Sequence, residues 1–135
     1  MQRRDKVDTK ETCNLDILAN KIVNAAFVVH RELGPGLLEG VYETCFCHEL
    51  SKLGLNIQRQ LPVKINYDNM TFDAALRLDV LVEESVICEL KSVEVLHPVF
   101  FAQLLSYLKL TNKKLGFLIN FNVPLIKQGI NRVIL

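Results

Sequence analysis

The sequence has almost no excess of charge of either sign: Lys and Arg total 16 against 15 for Asp and Glu, a net of +1. Chains committed to the phosphate backbone usually carry a basic excess or stripe, so the overall balance gives no electrostatic case for nucleic acid. A local patch drawn from Arg59, Lys64, Arg77, Lys91 and Arg132 stays open, and so does plain solvated surface charge. Long apolar runs are also missing; none approaches the roughly 20 residues that cross a bilayer. The charged start MQRRDKVDTKETC has no apolar stretch behind it, as a secretory signal needs. These absences lead to the expectation of a soluble, cytoplasmic protein with no membrane association.

Cysteine is sparse and badly spaced for zinc. Cys13, Cys45, Cys47 and Cys88 form no CxxC knuckle and have no matching His spacing. Cys45 and Cys47 are two apart in a helical pattern and point to different sides. Buried thiols in a reducing compartment are expected. Internal repeats, low-complexity stretches and domain linkers are absent as well. With 135 residues the chain is long enough for one core and too short for two, so a single domain over 1–135 is expected, with residues 1–13 fraying. Half of the residues are hydrophobic and 23% are charged, a balance that suits a packed globular chain and excludes a disordered one.

What is present reads as helices followed by a sheet. Leu15, Leu18, Ile22, Ala25, Ala26, Val29 and Leu33 recur at helical spacing, with Asn14 or Thr12 as a cap and Gly34-Pro35-Gly36 as the stop. Leu37 to Leu53 is helical again, with Leu38, Val41, Tyr42, Cys45, Leu50 and Leu53 as the expected buried stripe and Gly54 as its end. Ile57 to Tyr67 alternates, contains Pro62 and closes on Asp68-Asn69, which reads as an edge strand and a turn. Phe72 to Val93 reads as two strands joined at Glu83-Glu84-Ser85. Pro98 opens a helix to about Leu110, with Val99, Phe101, Ala102, Leu105 and Leu108 expected to face the sheet and His97 as a capping or surface residue. Leu115 to Phe121 is a strand covered on both sides, and a short last strand is expected around Arg132 to Leu135.

The hairpin register is where chemistry enters. A turn centred on Glu84 sets Val82 opposite Val86, Val80 opposite Cys88 and Leu78 opposite Leu90 on one apolar face. The other face then holds Leu81 opposite Ile87, Asp79 opposite Glu89, and Arg77 opposite Lys91. Two carboxylates facing each other repel unless a positive group joins them. A divalent cation would do so, and hard Mg²⁺, or Mn²⁺ in its place, suits a pair of carboxylates. Lys91 projects from the same face, placed to orient a water or to stabilise charge on a phosphate. The same spacing equally suits an ion-pair cluster of Arg77, Asp79, Glu89 and Lys91 on a solvated face, with no metal.

Asp79, followed after nine residues by Glu89-Leu90-Lys91, resembles the D-x(n)-(D/E)-x-K core of the PD-(D/E)XK nuclease superfamily, with Leu78 in place of its proline. Gly36-Leu37-Leu38-Glu39-Gly40-Val41-Tyr42 resembles the GxxExxY signature of a small family within it. The resemblance extends over RLDVLVEESVICELKSVE, the helix with Gln103 and Tyr107, and LGFLINFN, hence nearly everything after Leu15. It implies an α/β, restriction-endonuclease-like domain with a mixed sheet flanked by helices. It also implies phosphodiester hydrolysis of DNA or RNA, with Mg²⁺ or Mn²⁺ at Asp79 and Glu89, Glu39 as a further metal ligand, and Lys91 as a catalytic partner.

Glu39 otherwise reads as a helix-start glutamate favoured by the macrodipole. Tyr42 reads as core, or as a hydroxyl that orients Glu39 or a phosphate. Gln103 and Tyr107 share a helix face, and the resemblance brings Gln103 near the active site. With Arg77 and Tyr42 they form the expected substrate-binding set. A homodimer is one expected assembly. The rival class is an inactive nuclease-fold module that binds nucleic acid or a protein partner.

Overall fold

The computed structural model describes the backbone of residues 2–135 and the side chains from residue 14 onward. Helix α1 runs Gln2–Leu33 and helix α2 Glu39–Lys52. Strands β1 Ile57–Tyr67, β2 Met70–Val82 and β3 Val86–Lys91 follow, then helix α3 Pro98–Thr111, strand β4 Leu115–Asn120, a 3-10 turn Ile126–Gln128 and strand β5 Ile130–Ile134. The helix thus continues through Asn14 and Thr12 instead of starting there, because no Gly or Pro interrupts residues 2–13. The side chains of Thr12 and Cys13 lie outside the described residues. Gly34, at φ 70°, ends α1 with its N–H on the His30 carbonyl at 2.7 Å, the left-handed cap that glycine allows.

The five strands lie in the order β1-β2-β3-β4-β5. All neighbours are antiparallel except β3 and β4, which are parallel and joined through α3. A parallel pair needs such a crossover, and it places α3 on one face while α1 and α2 cover the other. The first core cluster packs α1 and α2 against Val80, Val82, Val86, Cys88, Leu90, Leu115 and Phe117. The second packs Leu104 and Leu108 of α3 against Leu78, Leu81, Ile87 and Leu118. This is the expected α/β arrangement, a mixed sheet flanked by helices in the restriction-endonuclease-like manner. Buried on both faces, all six residues of β4 are inaccessible, as its continuous apolar run requires.

Two stripes are turned from their expected positions. On α2 the buried residues are Tyr42, Glu43, Phe46, Cys47 and Leu50, whereas Leu38, Val41 and Leu53 are exposed. A charged residue, Glu43, occupies a core-facing position there, so apolarity alone points to the wrong side. On α3, Leu104 and Leu108 are buried with Phe100, Phe101 and Tyr107 beside them, while Val99 and Leu105 are exposed. His97 caps this helix, its Nδ1 accepting from the Val99 N–H at 3.1 Å. Among the described residues, no helix is long and apolar enough to cross a membrane.

Candidate active site

Strands β2 and β3 pair only at Val80↔Cys88, Leu81↔Ile87 and Val82↔Val86. Beyond that they fork: β2 continues along β1, and β3 continues along β4 to Lys91↔Asn120. The expected ladder pairs Leu78 with Leu90, Asp79 with Glu89 and Arg77 with Lys91 therefore do not form. In their place, Leu90 N–H donates to Asp79 Oδ2 and Asp79 N–H donates to Glu89 Oε2, both at 2.9 Å. Each carboxylate supplies the acceptor that the opposite backbone lost at the fork. The two carboxylates thus satisfy backbone N–H groups that the ladder no longer pairs.

Strand alternation also breaks here. Val80 and Val82 face α1 and α2, yet Leu78, two residues earlier, packs with Leu81 on the α3 side. Strand β1 does the same: Ile57 joins the first cluster, and Leu61 and Val63 join the second. Gln60, between them, is at φ 49°.

The acid groups at the fork resist ionisation. Burial pushes the Glu89 carboxyl up to about 8, the Asp79 charge adds to this, and the Asp79 N–H and Lys91 oppose it. Asp79 is likewise raised, chiefly by burial and then by Glu43, against the pull of the Leu90 N–H, Lys91 and Gln60. Glu39, the first residue of α2, is raised by the partial desolvation of its carboxyl end, opposed by Lys91 and reinforced by Asp79 and Glu43. The fold thus gathers Asp79, Glu89, Lys91 and Glu39 into one electrostatic unit.

Neighbouring residues hold this unit in place. Lys91 Nζ lies 4.4 Å from the centroid of the Phe100 ring on α3, close enough for a cation–π contact. Ser92 Oγ donates to the Leu37 carbonyl at 2.6 Å, tying the exit of β3 to the loop that leads into Glu39. Buried Asn120 brackets Val93, accepting from its N–H at 3.1 Å and donating to its carbonyl at 2.9 Å.

Tyr107 faces the fork from α3, where Glu89 and Asp79 raise its hydroxyl after burial and a hydrogen bond with Gln103 opposes them. Gln103 itself is exposed, one turn before Tyr107. Of the two remaining expected members, Tyr42 alone is placed in the core. Arg77 is exposed and pairs with Pro62 on β1. Tyr42 is fully buried and stacked on Phe121 at 4.6 Å; its hydroxyl donates to the Gly34 carbonyl at 2.6 Å and accepts from the Leu37 N–H at 3.1 Å. Its role is core and loop fastening, and its hydroxyl does not orient Glu39.

The sequence pointed to Arg59 only as part of a possible basic patch, and did not point to Glu43, Gln60 or Phe100 as members of the site. Glu43 had a signal, lying one helical turn after Glu39 on the stripe of Tyr42 and Phe46. Three of the basic residues that could have formed a patch are engaged by acids. Arg59 bonds Glu43, Arg132 lies 3.1 Å from Asp16, and Lys64 lies 3.9 Å from Asp73.

Among the described residues, no three His, Cys, Asp or Glu side chains are set to close together on a metal ion. Two fork carboxylates remain as hard oxygen donors, and Mg²⁺ commonly binds through one or two carboxylates while keeping its waters. Their shared resistance to ionisation is the disposition a divalent cation would offset, so the donor set fits such an ion.

The sequence profile of the PD-(D/E)XK nuclease superfamily matches residues 16–133. No curated protein and no solved structure matches the chain.

Proposed function

The chain belongs to the PD-(D/E)XK nuclease superfamily, and from that premise we propose that it is a metal-dependent nuclease hydrolysing phosphodiester bonds of DNA or RNA. The observation that carries this reading is the reciprocal bracket of Asp79 and Glu89 at the strand fork, with Lys91 two residues on. In this reading Asp79 and Glu89 would hold Mg²⁺ or Mn²⁺, with Glu39 completing the acid set. Once bound, such an ion supplies charge neutralisation at the phosphate and a readily deprotonated water.

The chain's own groups do the rest. Lys91, resting on Phe100, presents an ammonium toward the phosphate and opposes the charge that grows on its oxygens. Gln103 and Tyr107 offer hydrogen bonds to the substrate from α3. Within the superfamily we place the chain in the GxxExxY group, whose signature acquires a physical reading here. Gly36, at φ 97°, makes the turn, Glu39 joins the acid set, and Tyr42 locks the loop. The free thiols Cys45, Cys47 and Cys88 suit the reducing cytoplasm as its location.

Lys91→Met separates binding from chemistry. We expect wild type to cleave labelled DNA or RNA in Mg²⁺, and the variant to keep its Mg²⁺ affinity while losing about a hundredfold or more in rate. If wild type neither cleaves either polymer nor binds Mg²⁺ or Mn²⁺, the chain is instead an inactive nuclease-fold module.

A further inference from the structure

Arg59 and Gln60 are neighbours in β1, yet both side chains bond the same carboxylate. Arg59 Nε and Nη2 donate to Glu43 Oε2 at 3.2 and 3.0 Å, and Gln60 Nε2 donates to Glu43 Oε1 at 2.7 Å. Consecutive residues of a regular strand project to opposite faces. Two neighbours can converge only where that alternation fails, and it fails at Gln60, whose φ of 49° lies in the left-handed region. The ladder passes from Arg59↔Val80 to Leu61↔Leu78, and the residue of β2 left across from Gln60 is Asp79.

An amide Nε2 has two hydrogens to give. One goes to Glu43, and the other is left for Asp79, which stands across from Gln60 on β2 and whose ionised form the Gln60 amide favours. Glu43 is itself buried on α2 and held by Arg59, whose Nη2 donates further to Thr44 Oγ1 at 3.1 Å. The Gln60 amide is therefore anchored on an ion pair fixed to a helix, and the acid across from it is Asp79 at the fork. A non-glycine residue in a sparsely populated backbone region, kept beside reactive groups, is a pattern that recurs at functional sites. A regular β1 would turn Gln60 away from Glu43, and that anchor would be lost.

We propose that Gln60 is a positioning residue, bridging Glu43 on α2 to Asp79 on β2 and so fixing the Asp79 carboxylate for its cation. The inference rests on the nuclease reading of Asp79, but the bridge exists or fails in the metal-free chain. Gln60→Gly separates it from a purely structural role, because glycine accepts the left-handed backbone at no steric cost while removing the carboxamide.

The test has two arms. Mg²⁺ is titrated by calorimetry into wild type and Gln60→Gly, with the melting temperature of each recorded without metal. The variant is expected to remain folded and to bind Mg²⁺ about tenfold or more weakly. In the second arm, the Gln60 side-chain amide protons of the metal-free protein are followed by ¹⁵N NMR in wild type, Asp79→Ala and Glu43→Ala. Each substitution is expected to release a different one of the two protons from hydrogen-bonded shift and slow exchange. Wild-type Mg²⁺ affinity in Gln60→Gly, or amide resonances indifferent to Asp79→Ala, would overturn the proposal. If wild type binds no Mg²⁺, the nuclease reading fails by itself and the amide resonances alone decide the bridge.

Discussion

Glu89 carries the largest electrostatic consequence of any single residue at the fork. Its carboxyl would ionise near 4.5 in the open chain, and the fold holds its proton up to about 8. Between those values the folded state binds more protons than the unfolded one, so stability falls as pH rises through that window and levels off above it. Each tenfold change in proton affinity is worth about 1.4 kcal/mol, so the effect is of the order of a few kcal/mol. We expect the melting temperature of the metal-free protein to drop from pH 5 to pH 8. Glu89→Gln should drop far less, with the remaining slope due to Asp79 and Glu39, which are displaced in the same direction. Parallel curves for the two proteins would show that Glu89 is not the titrating group. At this scale the sequence was partly legible. Asp79, Glu89 and Lys91 could be singled out from their spacing on one hairpin and its resemblance to a known motif, although the ladder pairs expected of them do not form. Gln60 could not, because its convergence with Arg59 on Glu43 depends on a break in alternation that no apolar pattern encodes. Phe100 was hidden for a related reason, since its place over Lys91 follows from how α3 crosses the sheet.

Among the elements, α2 contributes both core and chemistry, and the two uses compete for its inner face. Tyr42, Phe46 and Leu50 are fully buried there, and Glu43 lies on the same side to reach Arg59 and Gln60. Phe46→Ala should cost about 3–5 kcal/mol, as removal of a buried aromatic ring does. Leu38→Ala should change stability by less than about 0.5 kcal/mol, because Leu38 is 79% exposed. Urea unfolding of the two variants measures both; a larger loss for Leu38 would contradict the observed orientation of the helix. The β1–β2 ribbon also runs past the fork, and every residue of Met70–Ala75 is exposed. Pro62 and the register shift between Val63 and Ile65 interrupt its ladder, features that guard exposed strands against edge pairing. The ends of β1, the turn at Glu83-Glu84-Ser85 and the covered strand β4 were legible because turn residues and apolar runs mark them locally. The inner faces of α2 and α3 were not, because burial there was decided by which neighbours the sheet supplied.

The molecule as a whole places its fork where three pieces meet: the start of α2, the flank of α3 and the point at which β2 and β3 part. The parallel pairing of β3 with β4 draws β3 away from β2, and the separation leaves two carboxylates to complete each other's backbone. Fold and site are thus one consequence of the same topology. An exposed ion-pair cluster on a solvated sheet face would need Glu89 at the surface, and Glu89 is buried. If this fork is a cation site built on Asp79 and Glu89, calorimetric titration of Mg²⁺ will show saturable binding by wild type and none by Asp79→Ala, with both proteins folded. Equal binding by the two, or none by wild type, would mean that the fork holds no such ion.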